Sequence, residues 1–156
     1  MIRVLFVCYG NICRSPMAEA VFQHMVDEAG LSDQFVVDSA GTSDWNVGSR
    51  AHRGTRNVLR RQDISHEGRA RQVTENDLYE ADYVVAMDAD NVYELYYLGS
   101  QRELSTKLFM LLDFALPDLP REVPDPIFDG RFDYVYELVE AGCRGLLDHI
   151  RAEHNL

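Results

Sequence analysis

Cys8 and Arg14 are the two residues whose types and spacing point most directly to chemistry. They enclose Tyr9-Gly10-Asn11-Ile12-Cys13, and Ser15 follows them. If this stretch is a loop that leads into a helix, its backbone N–H groups and the positive end of the helix dipole converge on its centre. A phosphate-like dianion fits such a cradle, and the planar guanidinium of Arg14 binds two of its oxygens. The same field stabilises a thiolate, so we expect Cys8 to be an ionised nucleophile that accepts a hydrogen bond from Ser15.

The residues around this stretch predict the loop that the chemistry needs. Val4–Val7 is a short apolar run typical of a buried parallel strand. Gly10 and Asn11 tolerate a sharply turned backbone, and Ser15-Pro16 is a helix-start pattern with a side chain suited to capping. The alternative is a structural thiol at the end of a strand and a surface arginine. The agreement of strand, turn and helix start favours the functional interpretation.

Composition bounds the class of protein. A chain of 156 residues, 46% hydrophobic and 26% charged, predicts one domain over residues 1–156 with an ordinary core. The first strand begins directly after Met1, which leaves no room for a signal peptide, and three cysteines are an odd number. We therefore expect a cytoplasmic protein. The net charge of −11 disfavours nucleic acid or an anionic membrane as a partner.

Positive charge is nevertheless concentrated in one segment. Residues 50–71 contain seven arginines against only Asp63 and Glu67. Such a cluster either steers an acidic substrate towards a nearby site or forms a solvated helix face. The second interpretation is the commoner one for a charge run and is favoured here.

Hydrophobic patterning alternates strands with helices. Strands are predicted over 4–7, 35–39, 81–87 and 107–114, and helices over 16–29, 51–61, a short stretch after 74, 89–98 and 131–152. This order indicates an α/β domain of three layers, a central four-stranded parallel sheet flanked by helices, with the phosphate-binding loop after strand 1. Ligands of such sheets bind at the carboxyl ends of the strands, where the Cys8 loop lies.

A phosphate monoester attacked by a thiolate also needs an acid to protonate the leaving oxygen. Asp125 lies between Pro124 and Pro126 in a proline-rich segment and is the best candidate. Asp88 follows the third strand and is a rival by topology, and Asp44 is a weaker third. Prolines beside an aspartate also mark ordinary turns, so position alone leaves the choice open.

Two further residues have a functional and a structural interpretation. Trp45, the only tryptophan, lies beside Asn46 in a loop over 40–48 that we expect at the surface, where an aromatic ring packs against an aryl leaving group. His66 lies in an irregular polar segment, either as a partner that holds the catalytic loop or as an exposed histidine. Cys143 lies on the apolar face of the last helix and is expected to be packed rather than reactive.

The stretch Cys8-x4-Cys13-Arg14-Ser15-Pro16-Met17-Ala18-Glu19-Ala20 resembles the active-site signature of the low-molecular-weight protein tyrosine phosphatases. The resemblance extends along nearly the whole chain, through segments that follow the family's order. These are Asp38–Thr42, Ser43–Gly48, His66 with Arg69–Gln72, Met87-Asp88 and Asp125-Pro126. It implies a metal-independent hydrolase without a cofactor, which acts on phosphotyrosine in proteins. Nothing in the sequence demands more than a monomer, which is the state we expect.

The resemblance also implies roles for individual residues. Cys8 forms a phosphocysteine, Arg14 binds the phosphoryl oxygens, and Asp125 protonates the leaving group and then assists water. Other residues support the loop or surround the substrate: Ser15, Asn11, Ser39, His66 and Asp88 in the first group, and Tyr9, Gly10, Ile12, Cys13, Trp45, Asn46 and Phe128 in the second.

Three positions refine the match. With isoleucine at position 12, the chain resembles the tyrosine-specific members of the family, whereas the arginine phosphatases of the family tend to have threonine there. Ile127-Phe128 stands where the family often has two tyrosines, which questions control by phosphorylation at that point. Cys13 suggests that a sulfenic acid on Cys8 is trapped as a reversible disulfide, with which the family is compatible.

Two other functions are compatible with parts of this sequence. This chain is similar in fold and loop to the arsenate reductases coupled to thioredoxin. By that resemblance a reductase would need further cysteines near the third strand to relay electrons, and residues 81–100 contain none. A phospho-ligand binding module without catalysis is the other rival. The presence of Cys8, Arg14 and Asp125 together argues against it.

Overall fold

A sheet of four parallel strands forms the centre of the molecule, as the sequence predicts. The computed structural model describes residues 1–156. The strands are β1 (Ile2–Cys8), β2 (Phe35–Gly41), β3 (Tyr83–Ala86) and β4 (Leu108–Met110), in the spatial order β2-β1-β3-β4. Cys8 is in register with Gly41, and Val7 pairs with Ala86, so β1, β2 and β3 end at one edge of the sheet.

Six helices cover the two faces of this sheet. They are α1 (Arg14–Glu28), α2 (Arg53–Arg61), α3 (Glu75–Glu80), α4 (Ala89–Leu98), α5 (Gln101–Leu104) and α6 (Phe132–His154). None of them is at once long enough and apolar enough to cross a bilayer.

The alternation of side chains along β1 builds two separate cores. Val4 and Phe6 point into the larger core with residues of α1, α2 and α6, whereas Leu5 and Val7 point into a smaller one with α3, α4 and α5. Both faces of the strand are therefore buried, which explains its unbroken apolar sequence. Cys143 is fully buried in the larger core, as predicted.

The fourth strand is shorter than the sequence suggests. The apolar run over 107–114 pairs with β3 only as far as Met110, and the next residues, Leu111–Phe114, form a 3₁₀ turn instead. The Asp113 carboxylate accepts the backbone N–H of Met110 at 3.0 Å and closes this turn. The turn packs against α6, where Gly145 allows the carbonyl of Phe114 to approach: a Cβ there would lie 1.8 Å from its oxygen. Tertiary packing thus overrides the apolar pattern. The short helix α5 was not predicted either.

Candidate active site

The segment between β1 and α1 forms a tight loop around the sulfur of Cys8. Asn11 has a left-handed backbone, with φ of 56°, and donates its N–H to Cys8 Sγ at 3.3 Å. The end of β2 lies directly beneath the loop, because a Cβ on Gly41 would lie 2.7 Å from the carbonyl oxygen of Tyr9. Only glycine permits this approach, so the loop is shaped both by its own residues and by β2.

Ser15 has one of the two roles predicted for it: it contacts the sulfur of Cys8 but does not cap the helix. Helix α1 begins at Arg14, its N-cap is Cys13, and no side chain caps it. The hydroxyl of Ser15 lies instead 3.0 Å from Cys8 Sγ and accepts a hydrogen bond from Asn11 Nδ2 at 2.8 Å. Because the hydroxyl accepts from Asn11, its own proton is free to be donated, and the sulfur at 3.0 Å is nearer than the other acceptor, the Ala40 carbonyl at 3.5 Å. The orientation needed to stabilise a thiolate is therefore built into the loop.

Asn11 is the hub that fastens this loop to the rest of the fold. Its side-chain amide also donates to Ser39 Oγ at 3.0 Å, and its Oδ1 accepts the backbone N–H of Arg71 at 3.0 Å. The residue is 4% exposed, so these bonds have no competition from water. The left-handed conformation of Asn11 is held by contacts on both sides of the loop.

The chain of hydrogen bonds continues beyond Ser39 to a residue that the sequence analysis missed. Ser39 Oγ donates to Glu19 Oε1 at 2.5 Å, and the same oxygen lies 3.0 Å from His66 Nε2. His66 therefore touches the loop only through Glu19. Glu19 could have been found from the sequence by its spacing: it lies one helical turn after Ser15, which places both side chains on one face of α1.

Arg14 is buried and fixed by two partners from distant segments. Its side chain is 3% exposed, and Nη1 lies 2.5 Å from Asp88 Oδ2 and donates to the carbonyl of Val123 at 3.0 Å. Nη2 lies 3.6 Å from Asp125 Oδ2. Burial alone lowers the pKa of Arg14, but the negative charges of Cys8, Asp88 and Asp125 raise it above its usual value. The guanidinium stays charged and is aimed at the loop.

The three candidate acids fall in three different places. Asp125 lines the cavity that contains Cys8, and its Oδ1 accepts the N–H of Ile127 at 3.1 Å. Asp88 faces Arg14 and caps α4 by accepting the N–H of Asn91 at 2.8 Å, so both its oxygens are engaged. Asp44 is exposed and does not line the cavity. The proline-rich segment is anchored beside β3, because Val123 N–H donates to the carbonyl of Met87 at 3.0 Å.

The cavity over Cys8 has a volume of about 340 Å³ and an apolar, partly aromatic wall. Trp45 and Phe128 are 79% and 87% exposed at its rim, and Tyr9 is half-exposed. The sequence prediction of a surface tryptophan is confirmed. The remaining lining comes from the loop, from Asn46 and from the Asp125 segment: Gly10, Ile12, Cys13, Asn46, Asp125 and Ile127. A charged floor under an apolar rim suits an aryl phosphate.

Cys13 lines the same cavity but differs electrostatically from a nucleophile. Burial, followed by the negative charges of Asp125 and Cys8, raises its pKa to about 12 against the opposing effect of Arg14. At neutral pH Cys13 is therefore a thiol. Burial likewise raises the pKa of Cys143 in α6.

The chain matches known proteins along its whole length. The sequence profile described as "Low molecular weight phosphotyrosine protein phosphatase" matches residues 3–156. The low molecular weight protein-tyrosine-phosphatase YfkJ of Bacillus subtilis is 45% identical, with all of both chains aligned. PtpA of Staphylococcus epidermidis, described in the same terms, is 40% identical over all of this chain and 98% of its own.

Solved structures agree with this relationship. The crystal structure of YfkJ superposes with a TM-score of 0.94, at 44% identity, and covers 98% of this chain and 96% of its own. A Drosophila structure described as an arginine phosphatase superposes with a TM-score of 0.88, at 32% identity, and covers 96% and 98% of the two chains. By its sequence and its fold, the chain belongs to the low molecular weight protein tyrosine phosphatase family.

Proposed function

We propose that this enzyme hydrolyses phosphotyrosine in proteins through a phosphocysteine intermediate. The observation that carries the proposal is that Cys8, Arg14 and Asp125 line one cavity of about 340 Å³. A nucleophile, a fixed cation and a carboxyl group thus surround the space that a phosphoryl group would fill. These are the three elements that transfer of a phosphoryl group to sulfur requires.

In the first step the thiolate of Cys8 attacks phosphorus, and an S–P bond forms as the P–O bond to the phenolic oxygen breaks. Arg14 and the N–H groups of the loop stabilise the charge on the equatorial oxygens. Asp125 gives its proton to the leaving oxygen, which departs as a neutral phenol. Arg14 needs no reorganisation for this task, because Asp88 and the Val123 carbonyl hold it in place.

In the second step water attacks the phosphocysteine, and Asp125, now a carboxylate, accepts a proton from it. The S–P bond breaks, inorganic phosphate is released and the thiolate of Cys8 is restored. The N–H of Asn11 at 3.3 Å and the hydroxyl of Ser15 at 3.0 Å stabilise the sulfur as it leaves. Hydrogen bonds to an ionised acceptor of this kind contribute about 1.5–3 kcal/mol each.

The cavity wall supports phosphotyrosine as the substrate. Tyr9, Trp45 and Phe128 surround the opening with aromatic surface, against which a phenyl ring packs. Ile12 contributes a branched apolar side chain to the same wall. By the family resemblance, tyrosine-directed members have isoleucine at this position and arginine phosphatases have threonine. The similarity to the Drosophila arginine phosphatase therefore does not make phosphoarginine the proposed substrate. The substrates are phosphotyrosine-containing proteins, and we propose that the enzyme meets them as a cytoplasmic monomer.

The test is release of phosphate from a phosphotyrosyl peptide in EDTA with reductant. We expect Cys8→Ser to abolish release, and Asp125→Ala to lower kcat by roughly 10²–10⁴-fold. Asp44→Ala is the matched control, because Asp44 is an exposed aspartate outside the cavity, and it should retain wild-type activity. A phosphoarginyl peptide of the same sequence should be a poor substrate. A wild-type protein that binds the phosphotyrosyl peptide without releasing phosphate would be a binding module instead.

A further inference from the structure

The arginines of residues 50–71 divide into paired and unpaired groups. Arg61 forms an ion pair with Asp133, and Arg71 forms two, with Asp38 and Asp77. Arg69 donates to the carbonyl of Gly48. The other four have no carboxylate within ion-pair distance: Arg50, Arg53, Arg56 and Arg60. Of these, Arg56 donates through Nε to the backbone carbonyl of Ala51 at 2.9 Å, and its two terminal nitrogens remain unpaired. A solvated helix face alone does not explain why most of the arginines without a carboxylate partner lie close together on the surface.

Three of these four arginines line a single cleft of about 360 Å³. Arg50, Arg56 and Arg60 meet there with His66. Asp63 and Glu67 also line the cleft, but neither forms an ion pair with the arginines. The cleft shares no lining residue with the cavity over Cys8, so it is a separate feature of the surface. In a chain of net charge −11 it is a local concentration of guanidinium groups.

His66 provides a second, independent observation in this cleft. Its side chain is 8% exposed, and Nε2 lies 3.0 Å from Glu19. The other ring nitrogen, Nδ1, is buried and has no hydrogen-bond partner. A buried polar group without a hydrogen-bond partner is destabilising, so such groups usually have a partner. His66 also lines the cleft, so a ligand bound there lies beside a ring with one nitrogen that has no hydrogen-bond partner in the folded chain.

We propose that this cleft binds a phosphate-type oxyanion, held by Arg50, Arg56 and Arg60 beside His66. Guanidinium groups bind phosphate oxygens in pairs, and three of them around one cleft suit a tetrahedral dianion better than a single carboxylate. The binding itself does not depend on the proposed function. Its effect on turnover does, because that effect acts on the proposed catalytic loop.

Two routes connect the cleft with that loop. The first passes through the ring of His66 to Glu19 and Ser39, and from there to Asn11. The second uses α2, which carries Arg56 and Arg60.

The contacts of α2 with the loop are direct. The N–H of His52, the N-cap residue, donates to the carbonyl of Ile12 at 2.7 Å, and Thr55 Oγ1 donates to that of Cys13 at 3.0 Å. A ligand that moves His66 or α2 therefore changes the hydrogen bonds that shape the loop. Binding in the cleft and binding over Cys8 are coupled by the same contacts.

Titration of inorganic phosphate into isotope-labelled protein, followed by NMR, tests the binding. We expect two groups of shifted signals, residues 8–15 and residues 50–67, with different affinities. Arg50→Gln combined with Arg60→Gln should weaken the second affinity at least about tenfold and leave the first within about twofold. Arg53→Gln with Arg102→Gln removes the same charge outside the cleft and should change neither. The proposal is overturned if residues 50–67 respond neither to inorganic phosphate nor to a doubly phosphorylated peptide, or if they respond alike in both double variants.

Two further arms separate the consequences. In turnover of a phosphotyrosyl peptide, added phosphate should inhibit the wild type in a mixed manner and the Arg50→Gln/Arg60→Gln variant purely competitively. Competitive inhibition in both would refute the coupling, and a wild type without turnover would refute only the proposed function. With Cys8→Ser protein, a response of residues 50–67 to inorganic phosphate identifies the free ion as ligand. A response only to a doubly phosphorylated peptide, not to a singly phosphorylated one, identifies a second phosphate of the substrate.

Discussion

The pairing of Arg14 with Asp88 offers a sharp test of how the site is organised. In Asp88→Asn one oxygen still caps α4, because asparagine is as good an N-cap residue as aspartate. The charged contact at 2.5 Å from Nη1 is lost, and an amide that donates replaces an oxygen that accepts. The substitution thus removes the orientation of Arg14 while it preserves the helix.

The expected magnitude follows from the burial of Arg14. Its guanidinium is 3% exposed, so water does not replace the lost partner, and only the Val123 carbonyl at 3.0 Å and Asp125 at 3.6 Å remain. Loss of one partner from a buried pair costs about 3–5 kcal/mol, and the remaining contacts place this case at the lower end. A cost of about 3 kcal/mol expressed in the transition state lowers kcat/KM by ~10²-fold. Arg14 also turns towards Asp125 and draws the acid away from the leaving oxygen.

The assay compares kcat and KM for a phosphotyrosyl peptide in wild type, Asp88→Asn and Asp90→Asn. Asp90 lies in the first turn of α4, forms no ion pair, and should change kcat/KM by less than about threefold. Thermal unfolding of each variant separates loss of activity from loss of fold. Equal effects of the two substitutions, or wild-type activity in Asp88→Asn, would refute the idea that Asp88 positions Arg14 for the proposed reaction.

Two further predictions concern the loop. Asn11→Ala removes the side chain that bonds Ser15, Ser39 and the Arg71 N–H, and it leaves alanine at a φ of 56°. We expect the free energy of unfolding in urea to fall by about 2–4 kcal/mol. A loss below about 0.5 kcal/mol would contradict the hub role of Asn11. Cys13, with its pKa raised to about 12, is a thiol in the reduced protein at neutral pH. Its thiolate attacks a peroxide-generated sulfenic acid at Cys8, which forms the disulfide and releases water, so this step should accelerate roughly tenfold for each unit by which the pH rises while Cys13 remains mostly protonated. Mass spectrometry of the oxidised protein should find the Cys8–Cys13 link, and sulfinic acid at Cys8 alone would rule it out.

The parts of the site that the sequence predicted are those encoded in contiguous residues. The cradle from Cys8 to Ser15 follows from a strand, a turn and a helix start, each with its own local pattern. The parallel sheet likewise followed from the alternation of elements. One local pattern was wrong in detail: Ser15 contacts the sulfur, as predicted, but it does not also cap α1, because the fold places Asn11 and Cys8 within its reach.

The parts that escaped prediction depend on packing between distant segments. Topology alone could not separate Asp88 from Asp125, because both follow elements that end at the same edge of the sheet. In the sequence Glu19 is only one residue of the signature motif. Its role is visible only in the fold, where Ser39 of β2 and His66 of a loop both contact its carboxylate. The apolar run over 107–114 became half strand and half turn because α6 lies against it.

These contacts make the site a property of the folded chain rather than of the loop. Arg14 is held by partners 74 and 109 residues away, and Asn11 by partners 28 and 60 residues away. A peptide that contained only the signature would have the cysteine and the arginine but neither the left-handed Asn11 nor the fixed guanidinium. Since the loop can be no more ordered than the segments that hold it, changes at Asp88, Glu19 or α2 reach the sulfur without contact with a substrate. The same dependence is what lets an oxyanion in the arginine-lined cleft alter catalysis over Cys8.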